Sequence, residues 1–324
     1  MREARTPGLD ALRAVAAAAV FIHHVGLALI PGYGLGLGEG VIVFFVLSGY
    51  LLYRPFVAGT VDLRAYAVRR IARIVPAYWV ALVGAGIVFG VMPSLAEFAF
   101  TRVGLVSVAW TLQLEVAFYL TLPLLAWLLA RSPGRIMLMA GVSLGGSIVM
   151  VVTLVALGYG PLPGTILNTY PSMLWAFAPG MFVAALEARG LTRGAAALWP
   201  VGLGLTAAGL WIGWVPMFDI VTAFGAALVV AAAVDARPWR SWAVRAAAAA
   251  GAVSYSVYLW HLPLIEAYGW VAIPMTLVVA SAVYVVIERP AIAWGQRQGS
   301  AKQARLGDGA GVDPAAALPV AIAD

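Results

Sequence analysis

From Leu9 to Ile30 the sequence reads LDALRAVAAAAVFIHHVGLALI. At about 1.5 Å per residue, a helix of this length crosses the roughly 30 Å hydrocarbon core of a bilayer. The stretch nevertheless contains Asp10, Arg13, His23 and His24. Because a charge at mid-bilayer costs on the order of 3 kcal/mol on insertion scales, such groups require a partner or a wet cavity. The stretch therefore predicts a membrane helix that carries a polar site.

The composition predicts a lipid solvent for most of the chain. Of the 324 residues, 63% are hydrophobic and only 10% are charged, and a soluble domain of that size cannot bury so much apolar surface. We therefore predict an all-α integral membrane protein, a bundle of about ten transmembrane helices with both termini cytoplasmic. A cleaved signal peptide is disfavoured, because Arg13 interrupts the first apolar run and many further spans follow. The spans are predicted near residues 9–30, 38–56, 74–93, 107–130, 136–157, 171–187, 196–214, 217–234, 247–268 and 270–288, with a tight turn at Trp214 to Pro216.

The basic residues support this topology. With a cytoplasmic N-terminus, nineteen of the twenty Lys and Arg residues fall on the cytoplasmic side, and only Arg102 falls outside. The nineteen are Arg2, Arg5, Arg13, Arg54, Arg64, Arg69, Arg70, Arg73, Arg131, Arg135, Arg189, Arg193, Arg237, Arg240, Arg245, Arg289, Arg297, Lys302 and Arg305. The net charge of +6 is accordingly interpreted as a topology signal and not as a nucleic-acid-binding surface.

Other features narrow the possible chemistry. The chain has no cysteine, which excludes disulfides, a thiolate nucleophile and Cys-ligated metals. It has no clear internal repeat, which disfavours the inverted-repeat transporters. Residues 1–295 are predicted to form one transmembrane domain. Residues 296–324 are rich in Ala, Gly and Pro and are predicted to form a disordered cytoplasmic tail without a chemical role.

Helix geometry relates Arg13 to His24. The two residues are eleven positions apart, which is almost three whole turns, so they share one helix face about 16 Å apart along the axis. The arginine lies near the predicted cytosolic mouth and the histidine lies deep. His23 points elsewhere and is interpreted as a helix-packing or lipid-interface residue.

Three ionisable residues on different spans reach similar predicted depths. His24 lies about 22 Å, His261 about 21 Å and Glu115 about 17 Å from the cytosolic side. This agreement predicts a cavity in the outer half of the bilayer, with a buried general base and supporting groups. The alternative is that each histidine merely hydrogen-bonds a neighbouring carbonyl or hydroxyl group.

An arginine-rich segment follows the second span and reads DLRAYAVRRIARIVPAYW, from Asp62 to Trp79. Arg69 and Arg73 are four residues apart and are predicted to share a face that could hold a polyanion such as the phosphates of CoA. The alternative is a cluster that only fixes topology or touches anionic lipid. The nearby Arg13 favours the phosphate site. Ser48, which lies in a small Ser-Gly pair, is a weaker nucleophile candidate because no base is adjacent in sequence.

Several motifs occur in a specific order along nearly the whole chain. They are LDALRAVAAAAVFIHH (Leu9 to His24), GVIVFFVLSGYLL (Gly40 to Leu52), RRIARIVPAYW (Arg69 to Trp79), WTLQLEVAFYLTLP (Trp110 to Pro123), SYSVYLWH (Ser254 to His261) and YVVIERP (Tyr284 to Pro290). Together they resemble the signatures of the acyltransferase-3 family of integral membrane O-acyltransferases. That family includes O-antigen, exopolysaccharide and peptidoglycan O-acetylases and macrolide O-acyltransferases.

The resemblance implies a membrane-embedded enzyme that moves an acyl group, most commonly acetyl, from cytosolic acyl-CoA to an acceptor hydroxyl. It implies catalytic roles for His24, Glu115 and Arg13, with the histidine accepting the hydroxyl proton and the glutamate orienting it or stabilising its charge. No metal is expected, and no cofactor beyond acyl-CoA as donor substrate. Substrate binding is expected from Arg69, Arg70, Arg73, Ser48, Tyr78, Trp110, Tyr255 and His261.

Two departures from the family pattern are visible. Ile42 stands where many members have an acidic residue. If that acid assists the histidine, Glu39 or Glu115 would have to serve here. The chain also lacks the extra helix and hydrolase-like domain of the longer members, so we expect transfer to be completed within the membrane domain.

The sequence leaves mechanism and acceptor open. Direct transfer and a transient acyl-histidine are both compatible with it. The acceptor could be a saccharide, a glycolipid, a peptidoglycan precursor or a secreted small molecule. The expected location is the inner or plasma membrane of a bacterium, in a multi-pass topology. The competing functions are a proton-coupled secondary transporter and a lipid-binding or scaffold protein.

Overall fold

The computed structural model describes residues 7–158, 169–212, 217–235 and 241–298, and within these ranges the chain is helical with no β-strand. Its α-helices, numbered in chain order, are α1 (Pro7–Leu29), α2 (Gly40–Val57), α3 (Leu63–Phe89), α4 (Leu95–Phe98), α5 (Trp110–Leu129), α6 (Pro133–Ala156), α7 (Tyr170–Glu187), α8 (Trp199–Ile212), α9 (Met217–Asp235), α10 (Trp242–Tyr268) and α11 (Ala272–Val283). Short 3₁₀ turns are Leu37–Glu39, Ser107–Ala109, Ala195–Leu198 and Gly269–Val271. A π-turn, Tyr284–Glu288, continues into helix as far as residue 298.

Seven helices in the described ranges are long and apolar enough to cross a membrane. The last of these is a helical segment of 57 residues, Trp242–Gln298, which is far longer than one bilayer crossing. It is interrupted at Gly269, where φ is +56°, and α10 packs against α11 beyond that turn. Helices occur at all ten predicted places, but ten crossings and cytoplasmic termini stay predictions. The predicted turn at Trp214 to Pro216 and residues 299–324 of the predicted tail lie outside the described residues.

The third helix begins earlier than the sequence predicted. It starts at Leu63 and not near residue 74, because the Asp62 carboxylate caps it by accepting a hydrogen bond from the Ala65 amide at 3.0 Å. The first turns of α3 are rich in arginine and therefore have low hydropathy. A prediction from hydropathy consequently places the start of this helix too late. These arginine-bearing turns are therefore part of a regular helix, which fixes the direction of each side chain.

The core is built where small residues let helices touch. A Cβ on Gly49 would lie 2.0 Å from the Phe177 carbonyl oxygen, and a Cβ on Gly180 would lie 1.9 Å from the Val46 carbonyl oxygen, so α2 and α7 are in backbone contact. A Cβ on Gly251 would lie 1.9 Å from the Asp10 carbonyl oxygen, which brings α10 onto α1. Helix α7 thus approaches α2 closely at its small Ser-Gly pair.

Helix α6 lies at the periphery. Ile136 is its one buried residue, and large apolar side chains such as Leu138, Val142 and Val149 are more than half exposed. A soluble protein would not present such a helix to water, whereas a bilayer solvates it without cost. The chain is therefore a multi-pass membrane protein whose outer helices face lipid.

Candidate active site

Two histidines from opposite ends of the sequence meet between α1 and α10. The Nε2 atom of His261 lies 3.1 Å from the Nδ1 atom of His24. Their ring centroids are 4.9 Å apart. The contact follows from the packing of α10 on α1 at Gly251, which brings the two helices close enough for side chains about three to four turns further on to meet. The two histidines, predicted to lie at similar depth, are thus direct neighbours.

The two rings differ in their surroundings. His261 is buried, with 1% of its surface exposed, and its Nδ1 atom lies 2.7 Å from the Tyr258 carbonyl oxygen and 3.2 Å from that of Val257. His24 is only partly buried, and its Nδ1 atom also lies 2.9 Å from the Val20 carbonyl oxygen. Of the two, His24 is therefore the histidine with a surface available to a substrate.

A polar cavity lies next to this pair, enclosed by α1, α2, α3, α5 and α10. It reaches Tyr258, whose ring centroid is 5.7 Å from that of His261. The Tyr258 hydroxyl donates to the Val108 carbonyl at 3.0 Å and lies 2.8 Å from the Thr111 hydroxyl. The lining residues are Arg13, Val41, Phe44, Phe45, Ser48, Leu51, Leu52, Arg70, Arg73, Ile74, Thr111, Leu112, Glu115, Tyr119, Ser254, Tyr255 and Tyr258.

Three guanidinium groups line this cavity. Arg13 forms an ion pair with Asp10 at 3.0 Å. Arg70 contacts the faces of Tyr66 and Tyr119, and its Nε atom is buried without a hydrogen-bond partner in the described part of the chain. Neither Arg70 nor Arg73 has a carboxylate within ion-pair distance among the described residues. The cavity therefore has unused capacity to bind an anion.

Glu115 is the carboxylate of this cavity. It accepts hydrogen bonds from the Ser48 hydroxyl at 2.8 Å and the Tyr119 hydroxyl at 2.5 Å. It is also close enough to Arg13 and Arg73 for electrostatic interaction. In the described ranges no hydrogen bond joins it to His24 or His261, so the structure places Glu115 with the arginines and not beside the histidine it was expected to orient.

Comparison with known proteins shows the family of the chain. A family model described as an acyltransferase domain matches residues 6–287. The chain belongs to this acyltransferase family. A Komagataeibacter xylinus protein named as a membrane-bound transacylase, BcsY, is 27% identical over 90% of this chain and 84% of its own length. No solved structure matches the chain at a significant level.

Longer relatives match over a shorter region. A protein of Staphylococcus aureus strain COL named as an O-acetyltransferase is 36% identical over 25% of this chain and 13% of its own length. The peptidoglycan O-acetyltransferase OatA of Listeria monocytogenes is 34% identical over 24% of this chain and 12% of its own length. The resemblance inferred from the motifs is therefore confirmed. The protein is an O-acyltransferase, which sets aside the transporter and scaffold alternatives.

In this acyltransferase, some of the residues predicted to bind substrate do not line the cavity. Arg69 packs against the last helical segment, where a Cβ on Gly295 would lie 3.5 Å from the Arg69 α-carbon. Arg70 and Arg73, three residues apart, share the cavity face instead, so Arg70 and not Arg69 accompanies Arg73. The ring of Trp110 contacts Phe45 edge-to-face at 6.4 Å and does not line the cavity.

Tyr78 is also outside the cavity of the acyltransferase. Its hydroxyl donates to the Glu97 carbonyl at 3.0 Å, and its ring stacks on Phe100 at 4.5 Å, which anchors the α4 connection. Burial alone would raise the pKa of the Glu97 carboxyl, but hydrogen bonds from Ser94 and Leu105 outweigh it and hold this pKa below its ordinary value. Tyr78 and Glu97 thus stabilise a connection between α3 and α5.

Tyr255 and Ser48 do line the cavity. The Tyr255 hydroxyl donates to the Ile74 carbonyl at 3.0 Å, which ties α10 to α3 beside Arg73. Ser48, for which no base was adjacent in sequence, finds Glu115 as a carboxylate partner from another helix. Its hydrogen bond joins α2 to α5 at the floor of the cavity.

Three remaining residues that the sequence analysis raised lie in or near the α1–α2 connection. The Nδ1 atom of His23 lies 3.0 Å from the Leu35 carbonyl oxygen, which agrees with a packing role on a different face from His24. Glu39 hydrogen-bonds the Asp219 carboxyl at the start of α9. Ile42, which stands at the family's acidic position, is buried with 1% exposure.

One buried carboxylate was not among the candidate site residues. Glu288 lies in the π-turn, is 1% exposed and accepts a hydrogen bond from the Ser256 hydroxyl at 2.7 Å. Its Oε1 atom has no partner in the described ranges, and Arg73 and Arg13 are its electrostatic neighbours. The signal in the sequence was a charged residue at the end of an apolar run. Such π-turns often occur at functional sites.

Proposed function

We propose that the protein transfers an acyl group from cytosolic acyl-CoA to a hydroxyl group of an extracytoplasmic acceptor, a saccharide or glycolipid. The observation that carries the proposal is the partly buried His24, held by His261, next to a cavity with three arginines. A base and an anion site side by side are what transfer from a polyanionic thioester to a hydroxyl requires.

The donor site of the proposal is the arginine cavity. Arg13, Arg70 and Arg73 hold the phosphates of CoA, since Arg70 and Arg73 form no direct ion pair with a carboxylate among the described residues. The pantetheine arm extends along the cavity toward Tyr258 and places the thioester near His24. Glu115 limits the net positive charge and orients Ser48 and Tyr119 at the cavity wall. In this proposal, Glu115 acts in the donor site and does not orient His24 directly.

The proposed reaction is a direct transfer. His24 Nε2 accepts the proton of the acceptor hydroxyl as its oxygen attacks the thioester carbonyl carbon. The new carbon–oxygen bond forms, the carbon–sulfur bond breaks, and the CoA thiolate leaves with its electron pair. The proton passes from His24 to that thiolate and regenerates the neutral base. An acyl-histidine route would divide the same bond changes into two steps.

The relatives guide the choice of acyl group and location. Their names include O-acetyltransferase and peptidoglycan O-acetyltransferase. We propose acetyl as the transferred group, the cell envelope as the site of use and a bacterial inner or plasma membrane as the location. The strong bias of Lys and Arg to one side supports cytoplasmic termini and a cytosolic donor site.

The test is thioester turnover by the purified protein in nanodiscs, with and without candidate saccharide acceptors. We expect CoA release by the wild type, and its loss to the background rate in His24→Ala. His23→Gln is the matched control, because His23 is the adjacent histidine on a different helix face and should retain activity. Turnover that survives in His24→Ala, or wild-type protein that neither binds nor cleaves acetyl-CoA with extract-derived acceptors, would overturn the proposal.

A further inference from the structure

The hydrogen bonds of His261 leave it no atom for a substrate. Its Nδ1 atom faces the carbonyl oxygens of Tyr258 and Val257, and its Nε2 atom faces His24. The ring is 1% exposed. Because a group that touches substrate must offer an accessible polar atom, His261 is not suited to the substrate-binding role that the sequence suggested.

The same contacts assign the proton on each ring. Carbonyl oxygens only accept hydrogen bonds, so the Nδ1 atom of His261 carries its proton and, in the neutral ring, Nε2 carries the lone pair. The Nδ1 atom of His24 lies between two acceptors, this Nε2 at 3.1 Å and the Val20 carbonyl oxygen at 2.9 Å. The Nδ1 atom of His24 must therefore be protonated, because a lone pair on this atom would face the lone pairs of the Val20 carbonyl oxygen. The lone pair of His24 then resides on Nε2.

We infer that His261 is a positioning residue that fixes the tautomer and orientation of His24, so that Nε2 of His24 is the reactive nitrogen. The inference rests on the proposed function and deepens it. His261 fills the position that a carboxylate fills in other base-orienting pairs, but it does so without adding a charge to a membrane interior. When His24 takes up the acceptor proton, its Nδ1–H hydrogen bond to His261 strengthens and stabilises the imidazolium.

Two substitutions of His261 separate positioning from packing. His261→Gln can place an amide oxygen near the position of Nε2, where it accepts the Nδ1 proton of His24. His261→Leu has a similar volume and no acceptor. We expect kcat for acetyl-CoA turnover to fall about 100-fold in His261→Leu and about tenfold in His261→Gln. The KM for acetyl-CoA should change less than about threefold in both, since the arginine cavity is untouched.

A spectroscopic measurement tests the tautomer without activity. The chain has three histidines, so protein labelled with ¹⁵N-histidine in lipid gives a simple spectrum, and His23→Gln removes one signal set. We expect His24 Nε2 to resonate as an unprotonated nitrogen in the wild type, and as a mixture of tautomers in His261→Leu. A protonated Nε2 in wild-type protein would overturn the inference whether or not that protein is active.

The outcomes distinguish the two proposals. Wild-type turnover with equal kcat in the wild type and His261→Leu would leave the proposed function standing and overturn the positioning role. Equal losses in the Gln and Leu variants would show packing alone and would also overturn it. A wild type that shows the expected His24 tautomer but cleaves no acetyl-CoA would instead count against the proposed function.

Discussion

At the scale of a single residue, a shift of one position along a helix decides whether a side chain faces the cavity. The arginines of α3 show this effect. Successive residues on a helix are rotated by about 100°, so neighbours in sequence point in different directions. Arg69 and Arg73 are four apart and could share a face, yet Arg70 and Arg73 line the cavity while Arg69 packs near Gly295. The spacing alone permitted either pair.

The donor site can be tested with these three residues. We expect Arg70→Gln and Arg73→Gln each to raise the KM for acetyl-CoA about tenfold, because each removes a charge-assisted hydrogen bond to phosphate. Arg69→Gln is the matched control on the same helix and should change that KM less than about twofold. Steady-state kinetics in nanodiscs gives the three values. An equal effect of all three substitutions would place the phosphates outside the cavity.

The position of Glu115 also differs from what its predicted depth suggested. Its predicted depth was close to those of His24 and His261, but depth along the membrane normal does not fix lateral position. In the folded chain the carboxylate accepts hydrogen bonds from Ser48 and Tyr119. A carboxylate in a membrane is stabilised where donors and cations are available, and those lie at the arginine cavity.

At the scale of elements, the crossing of α2 and α7 holds the floor of the site. Gly49 follows Ser48 directly, and its backbone lies so close to α7 that a side chain has no space. The crossing therefore fixes the position of Ser48 relative to Glu115 on α5. In the same way Gly251 sets α10 on α1 and allows His261 to reach His24. Small residues at two crossings, one beside Ser48 and one almost three turns from His261, thus determine the geometry of the polar site.

The α2–α7 crossing predicts a contrast between two glycines. Gly49→Ala would place a methyl group 2.0 Å from the Phe177 carbonyl oxygen and should destabilise the protein by about 1–3 kcal/mol. Gly141→Ala on the peripheral α6 meets nothing within 4 Å and should be neutral or slightly stabilising, since alanine favours helix. Thermal unfolding in detergent measures both. A lower Tm in Gly141→Ala than in Gly49→Ala would contradict the packing.

At the scale of the whole molecule, the polar groups of the candidate site lie inside the assembly of helices. Lipid solvates the apolar side chains of peripheral helices such as α6, while the three cavity arginines, Glu115 and the His24–His261 pair lie among the central helices. This inside-out distribution of polarity is required in a bilayer, because water is not available to satisfy charges at the protein surface. The proposed site for a charged donor accordingly lies within the bundle.

Topology can be tested on the same scale. The natural chain has no cysteine, so single cysteines can be introduced without background. We expect Thr60→Cys and Gln298→Cys to be protected from a membrane-impermeant maleimide in intact cells, and Thr101→Cys to be labelled. The predicted ten crossings with a cytoplasmic N-terminus would put Thr60 and Gln298 on the cytoplasmic side. Labelling of all three after membrane disruption is the control. Protection of Thr101→Cys in intact cells together with labelling of Thr60→Cys would reverse the proposed orientation.

The sequence by itself determined the lipid solvent, the places of the helices and the shared face of Arg13 and His24. Hydropathy and helical period are local properties, and they act over a few turns of one segment. The tertiary structure alone decided that His24 meets His261 across 237 residues of sequence, that Arg70 replaces Arg69 at the cavity and that Glu115 joins Ser48. These contacts depend on how helices that are distant in sequence rotate and cross. Close approaches such as those at Gly49 and Gly251 set the rotation and the crossing. No local sequence pattern identifies the partner of either glycine.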